Sequence, residues 1–145
     1  MFKMSRAVLN AIVCVAVIQA TLVIAKRPDF IDDDMMEMIK EDKAQCMQEH
    51  GTTEDMIEKA SEGNIPNDSH ITCYISCLLT RLGMLTDDGA IDADMMLSVV
   101  PDEIQDKAQQ VLEKCGALTG TNNCERMYNA AQCILKNCPE MWFIV

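Results

Sequence analysis

The spacing of the cysteines constrains this chain more than any other feature of its sequence. Seven of the eight cysteines follow residue 25. The first six of these are separated by 26, 3, 37, 8 and 8 residues: Cys46, Cys73, Cys77, Cys115, Cys124 and Cys133. An even number of cysteines at ordered positions in a short chain is typical of a disulfide framework in a secreted domain.

Residues 1–25 have the pattern of a secretory signal peptide. Lys3 and Arg6 form a basic start, and a mostly apolar run then extends to Ala25. A membrane anchor is the alternative, because the run is nearly long enough to span a bilayer. The cysteine-rich remainder, which has no second apolar span, favours the signal peptide. We therefore predict a signal peptide over 1–25 and one secreted domain over 26–145, with a C-terminal tail over 139–145.

The predicted mature chain is strongly acidic. Removal of Lys3 and Arg6 without any acid moves the net charge from -11 to about -13. Such a charge argues against nucleic acid as a partner, since phosphates would be repelled, and against anionic lipid as the main target. It favours high solubility in an extracellular fluid.

Apolar residues recur at helical spacing along almost the whole mature chain, so we predict an all-α fold of six short helices. Gly51, Gly83 and Pro139 stop helices, and Asp92 begins one. The predicted helices are Asp32–His50, one after Thr52 that carries Met56 and Ile57, Asp68 or Ser69 to Leu82, Ala93–Val100, Pro101 to Cys115, and about Asn123–Asn137.

Helix geometry limits the disulfide pairings. Cys124 and Cys133 lie nine residues apart on one helix, so their Cα atoms are roughly 13 Å apart and cannot be bridged. Cys73 and Cys77, one turn apart on another helix, should not pair with each other either. These two exclusions leave ten of the ~15 pairings of six cysteines open.

The chain resembles the insect odorant-binding proteins, specifically the antennal pheromone-binding type of bees, wasps and ants. The six-cysteine spacing carries the resemblance, and so do the segments "EDKAQCMQEHGTT", "ITCYISCLL" and "WFIV". The resemblance implies six helices around an internal hydrophobic cavity, stapled by the disulfides Cys46–Cys77, Cys73–Cys124 and Cys115–Cys133. Cys138 departs from the pattern and is predicted to be a free thiol or an intermolecular link.

We expect the cavity to be lined by apolar side chains from several helices and from the tail. Ten methionines follow the leader, and flexible thioether chains can repack around ligands of different shapes. By the resemblance, the apolar tail lines the cavity and closes one mouth. Tyr74 and the terminal carboxylate are candidates to orient a polar head. The predicted lining is Ile39, Ile57, Tyr74, Ile75, Leu78, Leu79, Met84, Met96, Val99, Val100, Ala108, Val111, Leu112, Trp142, Phe143 and Ile144.

Other kinds of site lack support in the sequence. His50 and His70 are the only histidines, and neither has a zinc-ligand spacing with cysteine or carboxylate. We find no nucleophile motif and no phosphate-binding loop. We therefore predict no metal, no cofactor and no enzyme activity.

Two classes of function remain. The first is a carrier of small hydrophobic volatiles, by resemblance odorants or pheromones, secreted into the sensillar lymph as a monomer or weak homodimer. The resemblance also implies an olfactory receptor at the sensory membrane as a partner. The alternative is a secreted structural or defensive helical protein of venom, saliva or cuticle on the same scaffold.

Overall fold

The computed structural model describes residues 27–86 and 88–145, and within these ranges the chain forms six α-helices. The predicted signal peptide lies outside the described residues. A short 3-10 turn, Pro139–Met141, follows the last helix. The helices are α1 (Asp33–His50), α2 (Glu54–Ser61), α3 (Ser69–Arg81), α4 (Ala93–Ser98), α5 (Asp102–Cys115) and α6 (Asn123–Asn137).

Short polar side chains set the starts of four helices. Asp32, Thr53, Asp92 and Asn122 each accept a hydrogen bond from the backbone N–H three residues on, at 2.8, 3.3, 3.0 and 3.0 Å. Each bond satisfies one of the backbone N–H groups that a helix start leaves without a partner. The predicted starts of α1, α2, α4 and α6 are confirmed to within one or two residues.

The segment between α3 and α5 differs in two details from the prediction. Helix α4 ends at Ser98 rather than Val100, because Pro101 disfavours helical backbone at the residue before it. Leu85 and Ile91 form an isolated antiparallel bridge, which the sequence pattern did not indicate. The bridge closes the loop between α3 and α4.

Helix α3 is the centre of the packing. It lies mainly against α6 and α1. Disulfide Cys46–Cys77 joins α3 to α1, and Cys73–Cys124 joins it to α6. The third disulfide, Cys115–Cys133, joins α5 to α6. The pairings implied by the resemblance are therefore present, and Cys138 is bonded to no other described cysteine.

The buried core is a cluster built around α3. Tyr74 and Ile71 are among its most deeply buried side chains. Within the described ranges, no helix has both the length and the apolar character needed to cross a membrane. The cluster contains Cys46, Ile57, Ala60, Ile65, Ile71, Tyr74, Leu78 and Ala131.

Candidate ligand-binding site

The last four residues fold back over the helices. The indole Nε1–H of Trp142 donates a hydrogen bond to the carbonyl oxygen of Ala60 on α2, at 2.8 Å. The hydroxyl of Tyr74 on α3 donates to the main-chain oxygen of Val145 at 2.5 Å. These bonds attach the two ends of residues 142–145, which we call the tail segment, to two different helices.

Tyr74 links the interior of the protein to the chain end. Its side chain is fully buried. Burial raises the pKa of Tyr74, because the phenolate would lose its hydration, and the negative charge of Glu54 raises it further. The hydroxyl therefore stays protonated at neutral pH and remains a donor to Val145. The two polar groups expected to orient a ligand head thus bond to each other.

Two further contacts hold the tail segment and the 3-10 turn that precedes it. The rings of Phe30 and Phe143 meet edge to face with centroids 5.7 Å apart. Lys107 Nζ of α5 lies 2.5 Å from Glu140 Oε1 in the 3-10 turn. The hydrogen bond from Lys107 lowers the pKa of Glu140, so this contact is an ion pair at neutral pH.

A groove lies where the tail segment meets α1 and α2. Its volume is about 330 Å³, within the range of small-molecule sites. The lining combines apolar side chains from both helices and the tail with charged groups at the rim. The lining residues are Arg27, Met36, Lys43, Glu54, Ile57, Glu58, Ser61, Phe143, Ile144 and Val145.

Both cations of the groove are already in ion pairs. Lys43 Nζ lies 3.0 Å from Glu54 Oε2, and Arg27 Nη2 lies 2.7 Å from Asp33 Oδ1. Only 17% of the Lys43 side chain is exposed, whereas Glu54 is 70% exposed. The Lys43 side chain is therefore mostly covered by protein, while its partner Glu54 faces water.

The structure places the predicted lining residues in more than one environment. Ile57, Phe143 and Ile144 line the groove. The larger group belongs to the core cluster or packs against it, and comprises Ile57, Tyr74, Ile75, Leu78, Trp142 and Ile144. The core cluster thus brings the tail, α2 and α3 together.

The other predicted residues lie outside the groove and the core cluster. Ile39, Ala108 and Val111 are buried. The half-buried remainder comprises Leu79, Met84, Met96, Val99, Val100 and Leu112. It stays a prediction that one cavity joins all these residues to the groove.

Sequence reasoning missed both apolar and charged residues of the groove, among them Met36, Lys43 and Arg27. Met36 and Lys43 lie three residues before and four residues after Ile39, so helical periodicity places all three on one face of α1. That spacing could have indicated both residues. Arg27 precedes α1 in a segment without periodicity, and nothing in the sequence pointed to it.

A second groove, of about 360 Å³, is bordered by two disulfides, and its lining is more polar than that of the first groove. Its lining includes Glu49, His50 and Arg81. Ligand atoms of Glu49, His50 and Cys77 lie within 4.8 Å of one another. The Cys77 sulfur is bonded to Cys46, however, and the thiolate is the form that ligates metals. Only Glu49 and His50 of this cluster are therefore able to ligate a metal ion.

Comparison with known proteins agrees with this architecture. The sequence pattern of the PBP/GOBP family matches residues 29–137, about three quarters of the chain. General odorant-binding protein 69a of Drosophila melanogaster is 23% identical over 106 residues, which are 72% of each chain. Odorant-binding protein 10 of Aedes aegypti is 30% identical over 110 residues, which are 72% of this chain and 78% of the relative.

Solved structures show the same fold. The crystal structure of the medfly Odorant Binding Protein CcapOBP22/CcapOBP69a superposes with a TM-score of 0.61 at 29% identity, covering 70% of this chain and 89% of that one. The narrower resemblance to proteins of bees, wasps and ants stays a prediction. The family match, the relatives and the helical fold together establish that the chain belongs to the PBP/GOBP family, the insect odorant-binding proteins.

Proposed function

We propose that the protein is a secreted carrier that binds small hydrophobic odorants or pheromones and transports them through sensory lymph towards olfactory receptors. The observation that carries this proposal is the groove, whose apolar wall is completed by the tail segment. Family membership supports a role in binding small ligands. The proposal assigns the protein no catalytic step.

Burial of apolar surface would drive binding. Removing apolar area from water contributes about 25 cal/mol per Å². A ligand of ~20 heavy atoms at about 0.3 kcal/mol per atom gains ~6 kcal/mol, which corresponds to a dissociation constant of tens of micromolar. Met36, Ile57 and Ile144 offer an apolar wall for the ligand chain, and the flexible Met36 thioether can repack around it.

The proposed route to the sensory lymph depends on the leader. A signal peptide over residues 1–25 would direct the chain to the secretory pathway, where disulfides form. The three disulfides and the acidic net charge suit a soluble protein of an oxidising extracellular fluid.

Trp142 provides a built-in reporter for the test, because it is the only tryptophan of the chain and lies in the tail segment. Titration of the mature, disulfide-bonded protein with volatile alcohols, esters and aldehydes should change Trp142 emission. The same ligands should displace an apolar fluorescent probe at micromolar concentrations. Absence of displacement across the panel would contradict the carrier and favour the structural or defensive alternative.

A matched pair of variants locates the site. Ile144→Ala removes apolar contact from the groove and should weaken binding about three- to tenfold. Ile104→Ala truncates a half-buried isoleucine of α5 outside the groove lining and should leave affinity unchanged. Equal losses in both variants would place the ligand elsewhere in the molecule.

A further inference from the structure

The charges that line the groove bear on which ligands it can hold. Five of the lining residues carry a charge: Arg27 and Lys43 are cations, and Glu54, Glu58 and the chain end at Val145 are anions. The described residues of the lining therefore carry a net charge of -1, in a protein whose predicted mature charge is about -13. We propose that the groove selects neutral amphiphiles, such as long-chain alcohols, esters and aldehydes, over carboxylates of the same chain length. This inference rests on the proposed function.

A carboxylate would find no unpaired cation among the described residues that line the groove. Arg27 is paired with Asp33, and Lys43 with Glu54. A ligand carboxylate that reached Lys43 would share an ammonium whose charge Glu54 already offsets. It would still lie beside Glu58 and the Val145 terminus, and like charges at short range repel. A charge that leaves water without its own partner is also poorly stabilised.

A neutral head avoids both problems. The Lys43 ammonium has three N–H donors, and one of them serves Glu54. A carbonyl or hydroxyl oxygen can accept from another N–H without breaking the ion pair. The hydroxyl of Ser61 donates to the carbonyl oxygen of Glu58 at 2.7 Å, so its own oxygen can accept from an alcohol. The polar rim thus offers bonds to a neutral oxygen without adding charge.

The test compares dodecan-1-ol, dodecanal and dodecanoate in displacing a neutral fluorescent probe from the mature protein at neutral pH. All three are used below the concentration at which they aggregate. We expect the alcohol and aldehyde to bind at least about fivefold more tightly than the carboxylate. Equal or tighter binding of dodecanoate would overturn the inference while leaving the carrier function intact. Failure of all three to displace the probe would instead contradict the proposed function.

A charge variant separates selection by this groove from the general preference of apolar sites for uncharged molecules. Glu58→Gln removes one negative charge from the lining and should strengthen dodecanoate binding relative to dodecan-1-ol binding about two- to threefold. Glu113→Gln makes the same charge change on α5, outside the groove lining, and should leave the ratio as in the natural protein. An unchanged ratio in Glu58→Gln, or equal changes in both variants, would overturn the inference.

Discussion

At the residue scale, Tyr74 determines how the chain end is held. It is an aromatic side chain with a polar tip in the most buried part of the protein, and its hydroxyl has the Val145 oxygen as partner. A buried hydroxyl without a hydrogen-bond partner lowers the stability of the fold. The stability of the core and the position of the tail are therefore linked through this bond. Two predictions follow from this dependence.

Replacement of Tyr74 by Phe should loosen the tail with a small loss of stability. The change removes one hydrogen bond and keeps the ring, so we expect a loss of about 0.5–1.5 kcal/mol in the free energy of unfolding. Release of a bound probe should become faster. Tyr128→Phe is the matched control, since Tyr128 packs against the same cluster from α6. Urea denaturation and stopped-flow release measure the two effects, and identical behaviour of both variants would refute the role of Tyr74.

Alkaline pH should destabilise the protein through the same residue. Burial raises the folded-state pKa of Tyr74 above its unfolded value of about 10. The contribution of the neutral phenol is therefore fully present below pH ~10 and is lost as pH rises from there through the folded-state pKa. The stability difference between the natural protein and Tyr74→Phe should shrink above pH ~10 in urea melts, with Cys138 alkylated to prevent disulfide exchange. A difference independent of pH would contradict this linkage.

At the element scale, the tail segment is attached from several sides although it is neither helix nor strand. It bonds to α2 through Trp142, to α3 through Val145, and its preceding turn pairs with α5 through Glu140. The disulfides, by contrast, join helices only. The tail segment can therefore leave the helices without breaking a covalent cross-link.

Deletion of residues 141–145 should leave the helices folded and the groove open. Far-ultraviolet circular dichroism should retain the helical signal, because the three disulfides and six helices are intact. Ligand release in stopped-flow should speed up, since Phe143, Ile144 and Val145 no longer line the groove. Unchanged release would mean that these residues only cover the core.

At the scale of the whole molecule, α3 is the helix against which α1, α2 and α6 pack. Its two cysteines, Cys73 and Cys77, lie one turn apart and form disulfides with different helices, α6 and α1. The third disulfide closes a shorter stretch, of 18 residues, against 51 for Cys73–Cys124. The three cross-links therefore constrain the unfolded chain to different degrees.

Removing Cys73–Cys124 should destabilise the protein more than removing Cys115–Cys133. Loop-closure entropy grows with the logarithm of loop length, which gives a difference of about 1 kcal/mol between the two. Paired Cys→Ser variants in a Cys138→Ser background, unfolded in urea, measure this difference. The reverse order of stability would mean that native packing, rather than chain entropy, decides the contribution of each bridge.

Local features of the sequence predicted the helices better than they predicted the site. Side chains such as Asp92 and Asn122 cap the helix that immediately follows them, so the information lies within a few residues. The groove depends on how α1, α2 and the tail meet, which no local pattern encodes. Periodicity indicated one face of α1 through Ile39 and one face of α2 through Ile57, but that these faces meet the tail follows only from the packing of whole helices.

The bond between Tyr74 and Val145 gives the chain end the role of an intramolecular competitor. A ligand that needs the space of the tail must first displace a group tethered at high effective concentration. Its apparent affinity is then its intrinsic affinity multiplied by the fraction of molecules whose tail is open. A large ligand would have to displace the tail, whereas a small one would not. The free energy of tail binding is therefore the minimum that the contacts of a large ligand must exceed.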